Sequence, residues 1–405
     1  MPSQPDGEIP PPDGALPSGS AAAWGDRDFG FYVHVPFCAT RCGYCDFNTY
    51  TAPELASSGE VDRATFASHL AREVRFARSV LGQRDVPVRT VFVGGGTPTM
   101  LSPQALVSVL AQIDAEFGLA PDAEVTLEAN PDSVDPEVLS QLREGGFTRV
   151  SFGMQSAVPH VLAVLDRTHT PGGALRAVAD ARSAGFEQVS LDLIYGTPGE
   201  SLADWQVTVE SALSAGVGHI SAYALIVEPG TRLAAQVRRG TIAAPDDDLM
   251  ADMYEWADEA FVSAGLPWYE LSNWAVPGQE CRHNEAYWRG DDWWGVGPGA
   301  HSHVAGTRWW NVKHPAAYVA RIAAGDSPAV GREVLDPATR AVEDLMLGAR
   351  MATGLSIADL GDDQRAEVGV LVSQGLGAVV QGRFQLTRPG RLLADAVVRR
   401  LLPGD

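Results

Sequence analysis

Two absences limit what this protein can be. The chain of 405 residues has no apolar run that approaches the roughly 20 residues a membrane-spanning helix needs. Its N-terminus lacks the basic stretch followed by an apolar stretch that marks a secretory signal. Hydrophobic residues make up 45% of the chain and charged residues 20%, as in ordinary folded proteins. We therefore expect a cytoplasmic protein that does not span a membrane.

Positive charge is also scarce. Lysine and arginine number 30 against 51 aspartates and glutamates, so the formal net charge is -21. A groove that neutralises nucleic-acid phosphates needs the opposite balance. The composition therefore disfavours a nucleic-acid substrate, and solubility is the simplest explanation of the acidity.

Cysteine is rare as well, yet three of the four cysteines lie in "FCATRCGYCDF", residues 37–47. In a cytosolic chain such a cluster indicates metal binding or redox chemistry, not a disulfide scaffold. Cys38, Cys42 and Cys45 have the spacing C-x3-C-x2-C, and three thiolates on one loop can hold three irons of an iron–sulfur cubane. A structural zinc site normally has a fourth Cys or His nearby, which "DFNTY" does not offer. The alternatives are reactive thiols that lie together by chance and a zinc site completed from far away. A three-ligand cluster leaves one iron open for a small molecule.

Short β-branched or apolar runs alternate with helical patterns through the first half of the chain. This alternation predicts a parallel sheet built from successive βα units. Six units favour a partial (β/α)6 barrel of the TIM type, with a doubly wound sheet as the alternative. The six predicted strands are "FYVHVP" (31–36), "TVFVGGG" (90–96), "EVTLEAN" (124–130), "RVSFGMQS" (149–156), "QVSLDLIYG" (188–196) and "HISAYALIV" (219–227).

Composition changes along the chain divide it into four parts. Residues 1–27, rich in Pro, Gly and Ser, predict a flexible leader before the barrel at 28–235. Eight of the ten tryptophans lie between Trp256 and Trp310, so we predict an irregular functional extension over 236–328. The pattern over 329–405 is helix, helix, hairpin, helix, which resembles a small α+β winged-helix module with a packing or partner-binding role.

The motifs at the predicted strand ends resemble those of a known superfamily. The cysteine loop is followed in order by "GGGTP" (94–98), "EANP" (128–131), "SFGMQS" (151–156), "LDRTH" (165–169) and "DLIYGTPGE" (192–200). This set resembles the radical S-adenosylmethionine (SAM) superfamily, in the branch that contains oxygen-independent coproporphyrinogen III oxidases and the heme chaperone HemW. The resemblance runs from about residue 30 to 400. It implies a [4Fe-4S] cluster on the three cysteines, with SAM at the open iron and one-electron reduction of SAM as the chemistry.

The resemblance also implies which residues contact SAM. In a βα barrel the site lies at the carboxyl ends of the strands, where these motifs fall. Gly95, Gly96 and Thr97 would let the backbone approach SAM closely. The other candidates for SAM contact are Tyr32, Tyr44, Glu128, Gln155, Arg167, Asp192 and Ile226, with Arg167 suited to a carboxylate.

Two features separate the members of this branch. The oxidases carry a further cysteine two positions after the third, where this chain has Phe47. Conversely, "HNEAYW" (283–288) is similar to the HemW family's heme motif, and "RGDDWWGVGPGAHS" (289–302) continues the pattern. The resemblance implies His283 as a ligand of heme iron, with Asn284 orienting its imidazole and Tyr287 and Trp288 against the porphyrin.

For other residues near this motif, the sequence allows more than one role. Cys281 is predicted as a buried thiol, a thiolate close to heme or a distant cluster ligand, and a packing role for His283 is also open. His301 and His303 are further candidates for an iron ligand.

We therefore expect a heme chaperone that passes heme to an unidentified acceptor protein and that can form a homodimer. The alternatives are an anaerobic coproporphyrinogen III oxidase and, more remotely, a radical enzyme that modifies nucleic acid through its winged helix.

Overall fold

The computed structural model describes residues 6–56, 61–167, 170 and 172–402. Most of its strands form one sheet of 12 strands. These strands are β1 (Phe29–Val35), β2 (Val88–Gly95), β3 (Leu119–Ala129), β4 (Arg149–Gln155), β5 (Gln188–Tyr195), β6 (His219–Ala224), β7 (Trp268–Glu270), β8 (Asn273–Ala275), β9 (Asp292–Val296), β10 (His301–Val304), β11 (Thr307–Asn311) and β12 (Ala329–Val334).

The helices lie mostly between the strands. They are α1 (Ser18–Ala23), α2 (Ala52–Ala56), α3 (Arg63–Leu81), α4 (Pro103–Phe117), α5 (Pro136–Glu144), α6 (Pro159–Val164), α7 (Gly173–Ser183), α8 (Leu202–Ser214), α9 (Arg232–Arg238), α10 (Asp247–Ser263), α11 (Arg282–Arg289), α12 (Pro315–Ala324), α13 (Pro337–Gly348), α14 (Asp362–Ser373), α15 (Arg388–Leu392) and α16 (Ala394–Leu401).

The six predicted strands are present as β1 to β6, all parallel and neighbours in chain order. A doubly wound sheet reverses its strand order around the first strand, so the consecutive order excludes that alternative. All six carboxyl ends therefore lie at one edge of the sheet, which is where the predicted motifs need to meet.

The two faces of these strands differ in chemistry because successive side chains point to opposite sides. In β1 the buried Phe29, Phe31 and Val33 join the main apolar core. Tyr32 and His34 point to the opposite face. We call this second face, which also carries Phe92, Glu128 and Asp192, the inner face.

The aromatic-rich segment is more regular than expected. The prediction of an irregular extension is wrong here, since the segment contains α10, α11, α12 and strands β7 to β11. Strand β9 pairs in parallel with β1, while β8 pairs antiparallel with β6, so the segment extends the sheet at both edges. Buried tryptophans anchor these added strands to the core, since Trp274 and Trp294 are 0% and 2% exposed.

The proposed leader is also ordered over its described part. Trp24 is buried and packs edge-to-face on Phe29, with ring centroids 4.6 Å apart. Glu8 forms a backbone bridge with Arg332, and the hydroxyl of Ser20 lies 2.7 Å from that of Thr307. The expectation of a flexible leader is therefore wrong for residues 6–27, because one tryptophan anchors an otherwise polar segment. Residues 1–5 lie outside the described residues.

The C-terminal part begins later than predicted. Strand β12 pairs with β11 and so belongs to the large sheet, which moves the boundary past Val334. Beyond it the predicted order of helix, helix, hairpin and helix is found in α13, α14, β14 (Gly377–Val380), β15 (Arg383–Leu386) and α16, with β13 (Leu355–Ser356) added to a small antiparallel sheet. Across the described residues, no helix combines the length and apolarity needed to cross a bilayer.

Candidate functional site

The cysteine loop follows β1 and is fixed by its backbone. The amide of Cys38 donates to the carbonyl of Tyr50 at 3.0 Å. Gly43, between the second and third cysteines, donates to Leu165 O at 3.3 Å and accepts from Leu233 N at 2.9 Å. The loop is therefore tied both to the segment that follows β4 and to α9.

The three thiols of this loop are partly buried and free. Burial raises the pKa of the Cys38 thiol and raises that of Cys45 to about 11. The guanidinium of Arg167 points its Nη1 at Cys42 Sγ, 3.7 Å away, and its Nη2 donates to Gly153 O at 2.8 Å. Iron ligation by these cysteines would require thiolates, so it would release protons and be assisted by the neighbouring cation.

Within the part of the chain that the structure describes, no group of three or more His, Cys, Asp or Glu side chains is arranged for a single metal ion. In a cubane each cysteine binds a different iron.

The glycines after β2 are needed for close packing around the loop. A Cβ on Gly96 would lie 2.6 Å from the carbonyl oxygen of Phe37 and 3.0 Å from Cys38 Sγ. Gly95 has φ +113°, and its Cβ would lie 2.5 Å from the ring of His34. Thr97 Oγ1 lies 4.0 Å from Cys38 Sγ. The structure thus places Gly96 and Thr97 against the cysteine loop and Gly95 against His34 of β1.

Two carboxyl groups approach each other on the inner face. Glu128, the penultimate residue of β3, is half-buried and accepts a hydrogen bond from Gly95 N at 3.1 Å. Burial, with a contribution from the nearby Asp192, raises the pKa of Glu128 to about 8. Burial raises the pKa of Asp192 to about 6, although the hydroxyl of Ser151 donates to both its oxygens at 3.0 Å. A polar or cationic ligand between the two carboxyl groups would stabilise their charged forms.

The other predicted SAM residues are spread more widely. Burial raises the pKa of Tyr44, which packs beside Leu165 near the cysteine loop. Gln155 is 9% exposed and has φ 62°, a left-handed conformation that is uncommon outside glycine. Ile226 is 66% exposed. Of the motif "LDRTH", residues 168 and 169 lie outside the described residues.

Tyr32 belongs to a hydrogen-bonded chain that the sequence did not reveal. His34 Nε2 donates to the carbonyl of Asn48 at 2.9 Å, so its Nδ1 accepts from the hydroxyl of Tyr32 at 3.0 Å. Asn48 in turn follows Phe47 directly and donates to the carbonyls of Pro298 and Lys313. The chain ties β1 to the cysteine loop and to the segment after β9.

The "HNEAYW" motif forms helix α11, which packs on the inner face. His283 is 1% exposed, and its ring stacks on Phe92 with centroids 5.3 Å apart. Its Nδ1 lies 2.8 Å from Thr90 Oγ1, and its Nε2 lies 2.9 Å from the hydroxyl of Tyr287. Burial lowers the pKa of His283 to about 3, so the ring is neutral at physiological pH.

Both ends of α11 are capped by charged residues from elsewhere in the chain. At its N-terminus, Glu124 of β3 accepts from the amides of Arg282 and His283 at 3.2 and 3.1 Å. At its C-terminus, Arg27 donates to the carbonyls of residues 289 and 290 at 2.8 and 2.7 Å. Each charge has the sign that the helix dipole favours.

The prediction that Asn284 orients the imidazole of His283 is wrong. Asn284 follows His283 directly, and adjacent residues on a helix do not face each other. The hydroxyls of Thr90 and Tyr287 hold the ring instead. Thr90 comes from β2, 193 positions away in the chain, so no local spacing could have indicated it.

Cys281 precedes α11 and is 3% exposed. Its thiol donates to Glu124 Oε1 at 3.5 Å, and burial raises its pKa well above the usual value. Glu124 lies four residues before Glu128 on β3, roughly 13 Å along the strand. Of the three interpretations of Cys281, these contacts favour the buried thiol.

The remaining residues of the motif region form an aromatic group. The ring of Tyr287 meets Trp293 edge-on at 4.7 Å, and Trp293 lies 5.2 Å from the ring of His303. His303 is held by the carbonyl of Asp291 at 3.1 Å. Trp288 donates to Glu270, and His301 stacks on Trp310 at 5.9 Å. Tyr287, Trp293 and His303 therefore form one series of ring contacts that begins on α11.

Comparison with known proteins identifies the family. The model of the Radical SAM superfamily matches residues 32–212. "Heme chaperone HemW" of Mycobacterium tuberculosis (strain ATCC 25618 / H37Rv) is 52% identical over 377 residues, which are 93% of this chain and 95% of that protein. The chain belongs to the HemW family of the radical SAM superfamily. The Bacillus subtilis (strain 168) HemW is 34% identical, over 90% of this chain and 97% of its own length.

Among solved structures, coproporphyrinogen III oxidase (HemN) from Escherichia coli, a radical SAM enzyme, has the same fold. It matches with a TM-score of 0.79 and 22% identity over 94% of this chain and 92% of its own. At that identity the match supports the α/β fold with its large sheet.

Proposed function

We propose that this protein binds heme and passes it to an acceptor protein. The names of its relatives support the proposal, and the arrangement of "HNEAYW" carries it. The motif forms one helix, which holds His283 as a buried neutral imidazole, the protonation form that can bind iron. In this proposal His283 binds the iron, and Tyr287 and Trp288 contact the porphyrin, with Asn284 at the helix surface.

We also propose that Cys38, Cys42 and Cys45 hold a [4Fe-4S] cluster and that SAM binds at its open iron. The donor set supports this, because three thiols share one loop and Arg167 approaches one of them. Among the described residues, the buried Nε of Arg167 has no hydrogen-bond partner, so a ligand acceptor would satisfy it. When bound, the cluster supplies one electron to SAM.

The chain's own residues would then position SAM. The carboxyl groups of Glu128 and Asp192 suit the hydroxyls and positive charge of SAM, while Gly95, Gly96 and Thr97 keep the backbone close to it. Tyr32, Tyr44, Gln155 and Ile226 complete the proposed set. Phe47, 58% exposed, stands where the oxidases carry a cysteine. We therefore assign SAM and cluster a regulatory role in heme transfer or dimerisation, not porphyrin oxidation.

The finer architecture belongs to the same proposal. The six parallel strands in chain order are the pattern of a partial (β/α)6 barrel, and the C-terminal module has the element order of a winged helix. We assign that module a packing or partner-binding role and place the protein in the cytoplasm.

Heme titration of the anaerobically reconstituted protein tests the proposal. We expect a saturable Soret shift for the wild type and its loss in His283→Ala. His160→Ala, with a side chain 57% exposed on α6, is the matched control and should bind as the wild type does. His301→Ala and His303→Ala test the other candidate ligands. The same preparation should be incubated with coproporphyrinogen III, SAM and a reductant. Absence of saturable heme binding, or conversion of coproporphyrinogen, would contradict the proposed function.

A further inference from the structure

The imidazole of His283 is not free to bind iron in this conformation. One hydroxyl lies within hydrogen-bond distance of each ring nitrogen, and the ring is 1% exposed. A cavity of about 100 Å³ lies beside α11 at the N-terminal ends of β1 and β2. It is smaller than the about 300–1,000 Å³ of typical ligand sites. If His283 binds heme, as proposed above, one of its two partners has to leave first.

The two partners differ in how firmly the fold holds them. Thr90 lies within β2, between two parallel neighbours, so its backbone is fixed. Its hydroxyl also faces Gly30 of β1, where an added Cβ would come within 2.4 Å of Thr90 Oγ1. This contact confines the Thr90 side chain and keeps its hydroxyl directed at His283 Nδ1.

Tyr287, in contrast, lies in the last turn of α11. The first turn is anchored to Glu124, which is itself paired with the buried Arg149 at 3.2 Å. The last turn is held by Arg27, an exposed residue, and by the hydrogen bond from Trp288 to Glu270. Opening the C-terminal end would remove Tyr287 from His283 Nε2 while Glu124 retains the first turn.

We propose that Thr90 is a positioning residue that holds His283 Nδ1 and that Tyr287 withholds Nε2 from heme iron until α11 opens at its C-terminal end. The assignment rests on the proposed function. In this assignment Nε2 is the nitrogen that binds iron, and the two hydroxyls have opposite effects on iron binding. The Thr90 hydroxyl promotes iron binding because it orients the ring, and the Tyr287 hydroxyl opposes it because it competes with iron.

The first test needs no heme. Diethyl pyrocarbonate modifies neutral, accessible imidazoles, and peptide mass spectrometry of the ligand-free protein reports His283 separately from the other histidines. Tyr287→Phe removes the hydroxyl and keeps the ring. We expect His283 to react about fivefold faster in this variant, the equivalent of one neutral hydrogen bond. Tyr254→Phe on α10 is the matched control, since its hydroxyl contacts Leu271 and Arg391 and not α11.

The second test measures heme affinity. Tyr287→Phe should lower the Kd about fivefold, whereas Thr90→Val, which keeps shape without a hydroxyl, should raise it by a similar factor. Thr90→Ser should restore the wild-type Kd. A purely structural role would make Thr90→Val and Tyr287→Phe change the Kd in the same direction.

The outcomes separate the two proposals. Unchanged His283 reactivity in Tyr287→Phe, or weaker heme binding by it, overturns the role of Tyr287. Equal binding by Thr90→Val and the wild type overturns that of Thr90. A wild type that binds no heme removes the proposed function, while the modification rates still confirm or overturn the shielding of Nε2.

Discussion

Replacing Glu124 with glutamine should loosen α11 and destabilise the whole protein. The substitution keeps the side chain's shape but removes the negative charge that faces Arg149. These two side chains are 2% and 1% exposed. Removing one partner of a buried ion pair costs about 3–5 kcal/mol, because the other charge stays buried without compensation. Arg149 also donates to the carbonyls of Gln279 and Glu280 at 2.8 and 2.9 Å, so we expect the lower limit, about 3 kcal/mol.

The same carboxylate accepts from the first two amides of α11, which gives the prediction a local signature. Chemical denaturation followed by tryptophan fluorescence measures the free energy of unfolding. Hydrogen exchange over residues 282–289 measures the opening of α11 separately. In the double variant Glu124→Gln, Arg149→Met no unpaired charge remains, so it should lose less stability than the two single variants added together. A loss below about 1 kcal/mol with unchanged exchange in α11 would refute this reasoning.

Three further predictions concern the helix, the inner face and the cysteines. Arg27→Gln should speed hydrogen exchange in the last turn of α11, by the equivalent of about 0.5–1 kcal/mol, and unchanged exchange there would contradict the capping role. Glu128 has a folded pKa of about 8 against an ordinary 4.5, so in the ligand-free protein its own contribution to stability should be greatest below pH 4.5 and fall until pH 8, by at most about 5 kcal/mol. Melting temperatures across that range should fall less steeply with pH in Glu128→Gln than in the wild type; an identical slope would assign the pH dependence to other carboxyl groups. Cys45→Ser should prevent cluster reconstitution, measured as bound iron and sulfide, whereas Cys281→Ser should not; iron loss in both would make Cys281 a ligand.

The sequence predicts best where one element follows a local rule. All six parallel strands were predicted, because each is a short β-branched run followed by a helical pattern. The motifs at their ends could be placed at one edge for the same reason. The convergence of Gly95, Glu128 and Asp192 near the cysteine loop follows from parallel strands in chain order, with no knowledge of side-chain contacts.

The prediction fails where distant residues decide the local structure. Trp24 orders a segment whose composition is typical of a flexible leader, because its ring finds Phe29. The aromatic segment becomes regular for a related reason: its strands complete the hydrogen bonds of β1 and β6, and a single sequence does not show which edges are free. Local composition alone could not have corrected either the prediction of a flexible leader or that of an irregular aromatic segment.

Helix α11 shows the same limit at the candidate site. Its eight residues are too few for a helix that is stable alone in water. Its N-cap residue, Cys281, makes no side-chain cap, so Glu124 supplies one from β3. The motif "HNEAYW" therefore has its geometry only when β2, β3 and the segment containing Arg27 are in place. The motif predicted Asn284 as the hydrogen-bond partner of His283, whereas in the structure that partner is Thr90 of the sheet. Any change that weakens Glu124 or Arg27 should thus alter the environment of His283 without touching the motif itself, which makes these two caps the residues to vary when the motif's role is tested.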